Sequence, residues 1–363
     1  MSLVVTRVTF DGYRNLSGRV LEPAAGVTVL VGPNAAGKTN TVEALQYLTA
    51  GTSFRRPAPA ELVAAGTSSA RVEGRIEGDG RVLDVTLEAT PERRRFLRNG
   101  KACRAGDLAG TLLSVLFCPD DLSLVKGAAS RRRIELDAFG AQANAGYRRV
   151  LAAYTRSVEQ RNRLLKDGCD AALLDAWDES VALGGATLLM HRLNLFARLS
   201  VLVSEVYGEV APSETLSCSY VPSVGGATAG MGRDELATLM RERLSRSRAD
   251  DLRRGQTSVG PHRDDVAFAI DGRDARAYGS QGQQRSVVLA WKLAEVRLCE
   301  TLLGERPLLL LDDVMSELDE HRRACVTSFV EGGIQTIITT TNLGYFTDAQ
   351  LSDMKVVRYG DEE

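Results

Sequence analysis

Apolar positions change period several times along the chain. Val29, Leu30 and Val31 form a short apolar run, as in a buried parallel strand, and from Lys38 onward Val42, Leu45 and Leu48 recur at helical spacing. Residues 71–89 alternate and are broken by Asp79-Gly80, a hairpin signal, and 96–104 repeat the idea around Asn99-Gly100. Near Pro119 the character changes. Residues 150–166 place Leu151, Tyr154, Val158 and Leu165 on one helical face. After Gly168, Leu174, Trp177, Val181, Leu188, Phe196, Leu199 and Val203 predict a second helix over 171–209, ~58 Å long if Gly184-Gly185 leave it unkinked. Together these two form an antiparallel helical hairpin. A strand at 215–221, a third helix at 234–254 and a strand region at 264–278 follow, and a long helix, an apolar strand and one more strand–helix unit end the chain.

This order predicts an α/β domain built from residues 1–120 and 255–363, interrupted by a helical arm at 121–254. At 363 residues the chain exceeds the size at which one core stops growing, roughly 250–300, which also argues for two lobes. The 44% hydrophobic and 25% charged fractions are those of an ordinary globular protein, and the net charge of −2 gives no global basic field. The six cysteines (103, 118, 169, 218, 299, 325) form no CxxC pair, so reduced thiols are expected. No secretory signal and no uncharged run near ~18 residues is visible, and a cytoplasmic protein with no membrane partner is expected.

The loop between the first buried strand and its helix reads Gly32-Pro33-Asn34-Ala35-Ala36-Gly37-Lys38-Thr39, followed by Asn40. It matches G-x-x-x-x-G-K-[ST], whose backbone N–H groups and helix N-terminus surround phosphates. Lys38 would reach the β/γ-phosphates, and the Thr39 hydroxyl would hold Mg²⁺. A glycine turn that happens to carry a lysine is the simpler alternative, but lysine is scarce here, with 39 of the 45 basic residues being arginine.

Leu308–Leu311 followed by Asp312 and Asp313 supplies the carboxylates such a loop needs on a neighbouring strand. Asp312 is suited to the metal shell, and Asp313, just past the strand end, to polarising the attacking water. Taken alone, the stretch is equally a core strand stopped by a polar turn. Ser280, Gly282 and Gln283 stand before a further helix, and a second anion site makes sense if it meets the γ-phosphate held by a second subunit. Taken alone, it is also a capped helix start.

These segments together resemble the ATP-binding-cassette superfamily: Ser280–Gln283 its signature, Asp312-Asp313 its metal-binding and catalytic acids, and Ser316-Glu-Leu-Asp319 its D-loop. The inserted arm resembles the SMC-type branch. Within it the chain is similar to the RecF family of bacterial recombination mediators, through Phe10-x-x-Tyr13-Arg14-Asn15, Pro119-Asp-Asp-Leu122, Gln160-Arg-Asn-x-Leu-Leu165, Gly260-Pro-His-Arg-Asp-Asp265 and Ser280-Gln-Gly-Gln-Gln284. The resemblance implies an SMC-type P-loop ATPase head with an antiparallel β lobe and an inserted α-helical arm. It further implies a homodimer formed on ATP binding, duplex DNA binding at gaps or single/double-strand junctions, and a role with RecR and RecO in loading RecA. Arg14 and Asn15 resemble positions near the base or ribose.

Three departures point to slow hydrolysis. No glutamine lies between Tyr47 and Ala141, Thr340 or Thr341 stands where a transporter ATPase has its switch histidine, and Asp313 replaces the usual glutamate. For DNA, the candidates are Arg93–Arg95, the run containing Arg131 and Arg132, and 241–254 with Arg241, Arg243, Arg246 and Arg248. Most such runs are solvated faces. A transporter ATPase subunit, another SMC-like ATPase, a small-molecule P-loop kinase and a non-hydrolysing scaffold are the competing readings. The arm opposes the first, and Ser280–Gln283 is unexplained in the kinase.

Overall fold

The computed structural model describes residues 3–108, 110–168 and 171–360; Cys169 lies outside them. In chain order the elements are β1 (Val4–Asp11), β2 (Val20–Leu21), β3 (Val27–Val31), α1 (Lys38–Ala50), β4 (Ala70–Gly78), β5 (Arg81–Ala89), β6 (Arg94–Arg98), β7 (Lys101–Cys103) and β8 (Ser114–Phe117). Then come α2 (Ser123–Lys126), α3 (Ala129–Ala143), α4 (Ala145–Asp167), α5 (Ala171–Val210), β9 (Leu216–Val221), α6 (Arg233–Arg254), β10 (Asp265–Ile270), β11 (Arg273–Asp274), α7 (Ala275–Tyr278) and α8 (Gln281–Leu303). β12 (Leu308–Asp312), α9 (Glu320–Val330), β13 (Thr336–Thr340), α10 (Asp348–Ser352) and β14 (Lys355–Arg358) complete the order.

Two compact units result, one from residues up to Leu122 with those from Glu295 onward, the other from Ser123–Ala294. The units divide after Leu122 and after Ala294, where breaks after residues 120 and 254 were expected. Residues 255–294 go with the second unit because β10 pairs along its length with β9 and because Trp291 of α8 stacks edge-on against Phe268 at 5.8 Å. α8 starts in the second unit and ends in the first.

In the first unit a parallel sheet runs β14-β3-β13-β12-β8. β3, β12 and β13 are buried throughout, which explains why they read as continuous apolar runs rather than alternating ones. An antiparallel sheet runs β2-β1-β4-β5-β6-β7. Both expected hairpins form, with Asp79, Gly80, Asn99 and Gly100 all at positive φ as the tight turns require. Val42, Leu45 and Leu48 of α1 share one core with Val72 and Val85 of the antiparallel sheet and Leu30, Leu310 and Ile337 of the parallel one. Gly74 of β4 admits α1 closely, since a Cβ there would lie 2.5 Å from Leu48 Cδ1.

In the second unit α4 and α5 form the expected hairpin, α6 packs along α5, and the three-stranded sheet β11-β10-β9 accompanies them. α5 is one uninterrupted 40-residue helix, ~60 Å long. Gly184-Gly185 do not break it; Gly185 makes room for a neighbour, because a Cβ there would lie 2.6 Å from Met240 Cε. Among the described residues α5 alone is long and apolar enough to cross a membrane by composition. Its Val181, Leu188, Leu189 and Leu193 are instead buried in the core with Tyr154 and Met240. Residues 264–278 were expected as strand; they continue past the turn as two residues of β11 and then the short helix α7, whose first amides are capped by Asp274.

Candidate functional site

β3 ends at Val31 and α1 begins at Lys38, so Gly32–Gly37 is the expected strand-to-helix loop. Its glycines are sterically required. A Cβ on Gly32 would fall 2.2 Å from the Tyr359 carbonyl oxygen, and Gly37, at φ 101°, lies against Leu16 and Asn15. Ala35 also takes a left-handed conformation, φ 66°. The buried Lys38 ammonium donates to the Gly32 and Pro33 carbonyls at 2.6 and 2.7 Å, which holds it over the loop. Burial lowers its pKa, opposed by the charges of Asp313 and Asp312.

The acids converge on the same place. Thr39 Oγ1 donates to Asp312 Oδ1 at 2.9 Å, joining the start of α1 to the end of β12 across 273 residues of chain. Thr339 of β13 donates to the same oxygen at 2.8 Å, and its hydroxyl accepts the Asp313 backbone N–H at 2.9 Å. Asp313 stands at φ 54°, an unusual conformation for a residue other than glycine, and its carbonyl accepts from Ser316 Oγ at 2.8 Å. Burial raises the Asp312 pKa, opposed by the Thr339 and Thr39 hydroxyls; burial likewise raises that of Asp313, opposed by Lys38. A threonine hydroxyl and a carboxylate are hard oxygen donors of the kind Mg²⁺ takes with substrate phosphates, so these residues fit that ion.

Thr339 was missed in the sequence, where Thr340 and Thr341 seemed the relevant pair. Thr340 Oγ1 instead serves the Asn342 turn, donating to its carbonyl at 3.0 Å and accepting its N–H at 3.1 Å, and Thr341 is exposed in a bend. The one available signal was the strand register, which puts Thr339 directly beside Asp312.

Asn15 and Asn40 brace the loop. Asn15 Nδ2 donates to the Ala35 carbonyl at 2.9 Å, Asn40 Nδ2 to Asn15 Oδ1 at 2.7 Å, and Arg55 to Asn40 Oδ1 at 2.8 Å. Arg14, expected near the base or ribose, is committed elsewhere: its guanidinium grips the fully buried Glu43 at 2.6 Å, a carboxylate that also accepts from Tyr13 and Ser53. An unpaired Glu43 would be costly there, so Arg14 serves the fold of this corner.

Ser280, Gly282 and Gln283 lie in the second unit. Ser280 Oγ accepts the Gln283 N–H at 3.1 Å and Gln283 Oε1 accepts the Ser280 N–H at 2.8 Å, a reciprocal cap at the start of α8. Gln283 Nε2 also donates to Glu214 Oε1 at 3.0 Å, while Glu214 Oε2 accepts from the Tyr207 hydroxyl at 2.5 Å. The motif is thereby tied to the end of α5. In the first unit Asp319 caps α9 through the Arg322 N–H, which lowers its pKa, and Ser316 sits one turn earlier.

His262, considered for proximity to the nucleotide, belongs to the second unit. Its Nδ1 pairs with the Tyr154 hydroxyl at 2.7 Å and its Nε2 with the Thr257 carbonyl at 3.0 Å. Burial lowers its pKa to about 4, so the ring is neutral. The rest of Gly260–Asp265 is equally built in: Arg192 donates to the Pro261 carbonyl, Tyr220 to Asp264, and Arg132 to Asp265.

The DNA candidates fare unevenly. Arg132 is a core residue, 2% exposed, bidentate to Asp265 at 2.7 and 3.0 Å and donating to the Leu124, Val125 and Gly127 carbonyls, so it is not a phosphate ligand. Arg131 is half-buried on α3. On α6, Arg241 pairs with Glu179, Arg248 with Asp175 and Asp178, and Arg246 with Glu242 at 3.7 Å; Arg243 lies beside Gly225. Acids of α5 thus neutralise Arg241 and Arg248, and Glu242 of α6 itself pairs with Arg246, within what read as a basic run.

Residues 4–361 match the family described as RecF/RecN/SMC N terminal domain. The "DNA replication and repair protein RecF" of Desulforudis audaxviator is 41% identical over 344 residues, covering 93% of each chain. That of Myxococcus xanthus is 39% identical over 336 residues, 91% of this chain and 88% of the relative. A solved structure of the recombination mediator protein RecF with ATP in the RecFOR pathway superposes with a TM-score of 0.88 at 34% identity, covering 95% of this chain and 94% of that one. The Smc head domain of Pyrococcus furiosus shares the fold, with a TM-score of 0.57 at 15% identity, over 98% of this chain and 93% of that one.

Proposed function

The chain belongs to the RecF family, and on that premise we propose that it is an ATP-binding ATPase of recombinational DNA repair whose nucleotide site is completed by a second copy of itself. The observation that carries the nucleotide reading is the Thr39–Asp312 hydrogen bond beside the loop-held Lys38, which gathers a cation, a hydroxyl and two carboxylates at one helix N-terminus. Gly32–Thr39 would receive the phosphates of ATP, with Lys38 on the β/γ-phosphates. Thr39 and Asp312 would hold Mg²⁺, which when bound offsets phosphate charge. Asp313 orients the attacking water and accepts its proton. Its carboxylate is one methylene shorter than the usual glutamate, and so we expect turnover well below the ~10 s⁻¹ median of enzymes.

The phosphates held by the chain's own loop are already met by Gly32–Lys38, which leaves the signature without a role toward them. We therefore assign Ser280, Gly282 and Gln283 to the γ-phosphate held by the partner copy, with Ser316 and Asp319 facing the same junction. Closure of two copies on ATP would create the duplex DNA-binding state, at gaps or strand junctions, and hydrolysis would end it, with RecR, RecO and RecA acting downstream. Sedimentation with and without ATP and Mg²⁺, on wild type and Ser280→Arg, tests this. A dimer seen only with ATP in the wild type, absent in the variant while nucleotide affinity is kept, is the expected result. A monomer under every condition removes the composite site.

A further inference from the structure

We propose that the solvent face of α4 is a track for the phosphate backbone of duplex DNA; this deepens the DNA-binding reading above and rests on it. α4 carries six basic residues and two acidic ones. One basic residue, Arg161, is fully buried and paired with Asp178 and Asp251 at 2.5 and 2.8 Å. Arg149, Arg156 and Arg163 recur every seven residues, with Lys166 one turn on, and all four are exposed. Among the described residues, none of their side chains carries an ion pair or a hydrogen bond.

The rotational setting of α4 fixes where they point. Tyr147, Tyr154 and Arg161 form the buried heptad stripe. Each is anchored by a polar contact: Tyr147 to Asp137 at 2.6 Å, Tyr154 to His262 at 2.7 Å, and Arg161 to its two aspartates. A residue two positions further along an α-helix is turned by roughly 200°, so Arg149, Arg156 and Arg163 face away from the core. They cannot rotate inward without breaking those anchors. From Arg149 to Lys166 the track is ~25 Å long, a length of duplex carrying on the order of 15 phosphate charges.

The acids that could neutralise this face are occupied or few. Glu179, Asp175 and Asp178 of α5 are taken by Arg241, Arg248 and Arg161. On the exposed face itself only Glu159 opposes the four cations, with Asp167 at the helix end. A straight, rigid row of unpaired cations without exposed aromatics complements a regular phosphate backbone rather than stacked single-strand bases.

The test is duplex DNA binding by the full chain with ATP and Mg²⁺, measured across a salt series. The triple variant Arg149→Ala, Arg156→Ala, Arg163→Ala is expected to bind about tenfold or more weakly at 100 mM salt. Its log–log salt slope should be shallower by about 2 to 3, near 0.9 for each lost contact. The matched variant Arg241→Ala, Arg246→Ala, Arg248→Ala should keep the wild-type slope within about one. Ala152→Cys carrying a photo-cross-linker should attach to duplex DNA, an independent readout in a chain with the arginines intact. Wild-type affinity and slope in the α4 variant, or no cross-link from position 152, overturns the proposal. A wild type that binds no duplex at all overturns the functional reading beneath it.

Discussion

Thr339 holds Asp312, donating to its carboxylate at 2.8 Å from a hydroxyl that at the same time accepts the backbone N–H of Asp313. One fully buried side chain therefore sets both Asp312, the acid proposed for the metal shell, and the left-handed residue beside it. Thr339→Val keeps the shape and removes both bonds. ATP hydrolysis is expected to fall by about 10- to 100-fold, with nucleotide affinity within about threefold of wild type, since a misoriented acid affects the chemical step most. Thr339→Ser should recover most of the rate. A Val variant that hydrolyses normally, by single-turnover measurement, assigns Thr339 to packing alone.

Glu214 is the only acidic side chain touching the signature among the described contacts, and it fixes the Gln283 amide through Nε2. Glu214→Ala frees Gln283 and leaves the nucleotide loop, in the other unit, intact. ATP-dependent self-association should weaken by about 5- to 10-fold, while nucleotide affinity and melting temperature stay near wild type. Sedimentation reads the first and calorimetry the last two; an unchanged dimer separates Glu214 from signature function.

His262 makes stability depend on pH. Its pKa in the fold is about 4, below the ordinary 6.5, because burial disfavours the charged ring. On acidification the unfolded chain binds this proton first. The contribution is therefore full above pH 6.5 and is lost as pH falls toward 4, at up to ~1.4 kcal/mol per pH unit and about 3 kcal/mol in all. Urea midpoints at pH 7.5 and 5 should differ more for wild type, falling at the lower pH, than for His262→Gln, which cannot titrate.

Arg132 belongs to stability rather than to nucleic-acid contact. Arg132→Ala would leave two buried carbonyls, the half-buried Gly127 carbonyl and the Asp265 carboxylate without their donor, at a cost of about 3 kcal/mol. Urea denaturation should show that loss, whereas the DNA salt slope of the folded fraction should not move.

The nucleotide loop was legible because every part of it is local: an apolar strand, glycines at fixed offsets and a helical period starting at Lys38. Asp312 was legible for the same reason, being the first polar residue after four leucines. What stayed hidden is long-range. Arg241 and Arg248 look like a basic run until α5 brings Glu179, Asp175 and Asp178 beside them from more than 60 residues away. Arg14 looks like a ligand contact until α1 presents Glu43. Gly184-Gly185 look like a kink, because close packing on Met240 leaves no mark on periodicity. The second unit boundary was missed because α8 is continuous through it.

β3, the strand that launches the nucleotide loop, has as its sheet neighbours β13 and β14, both made about 300 residues later. At ribosomal speeds of 5–20 residues per second, the Gly32–Thr39 segment emerges roughly 15–60 s before its flanking strands exist. During that interval a highly apolar strand has two open edges, and the Tyr359 carbonyl that packs on Gly32 has not been made. The loop's full surroundings, Asp312 and Tyr359 included, therefore exist only once translation is nearly over, and the helical arm, whose partners are closer in sequence, is free to fold first.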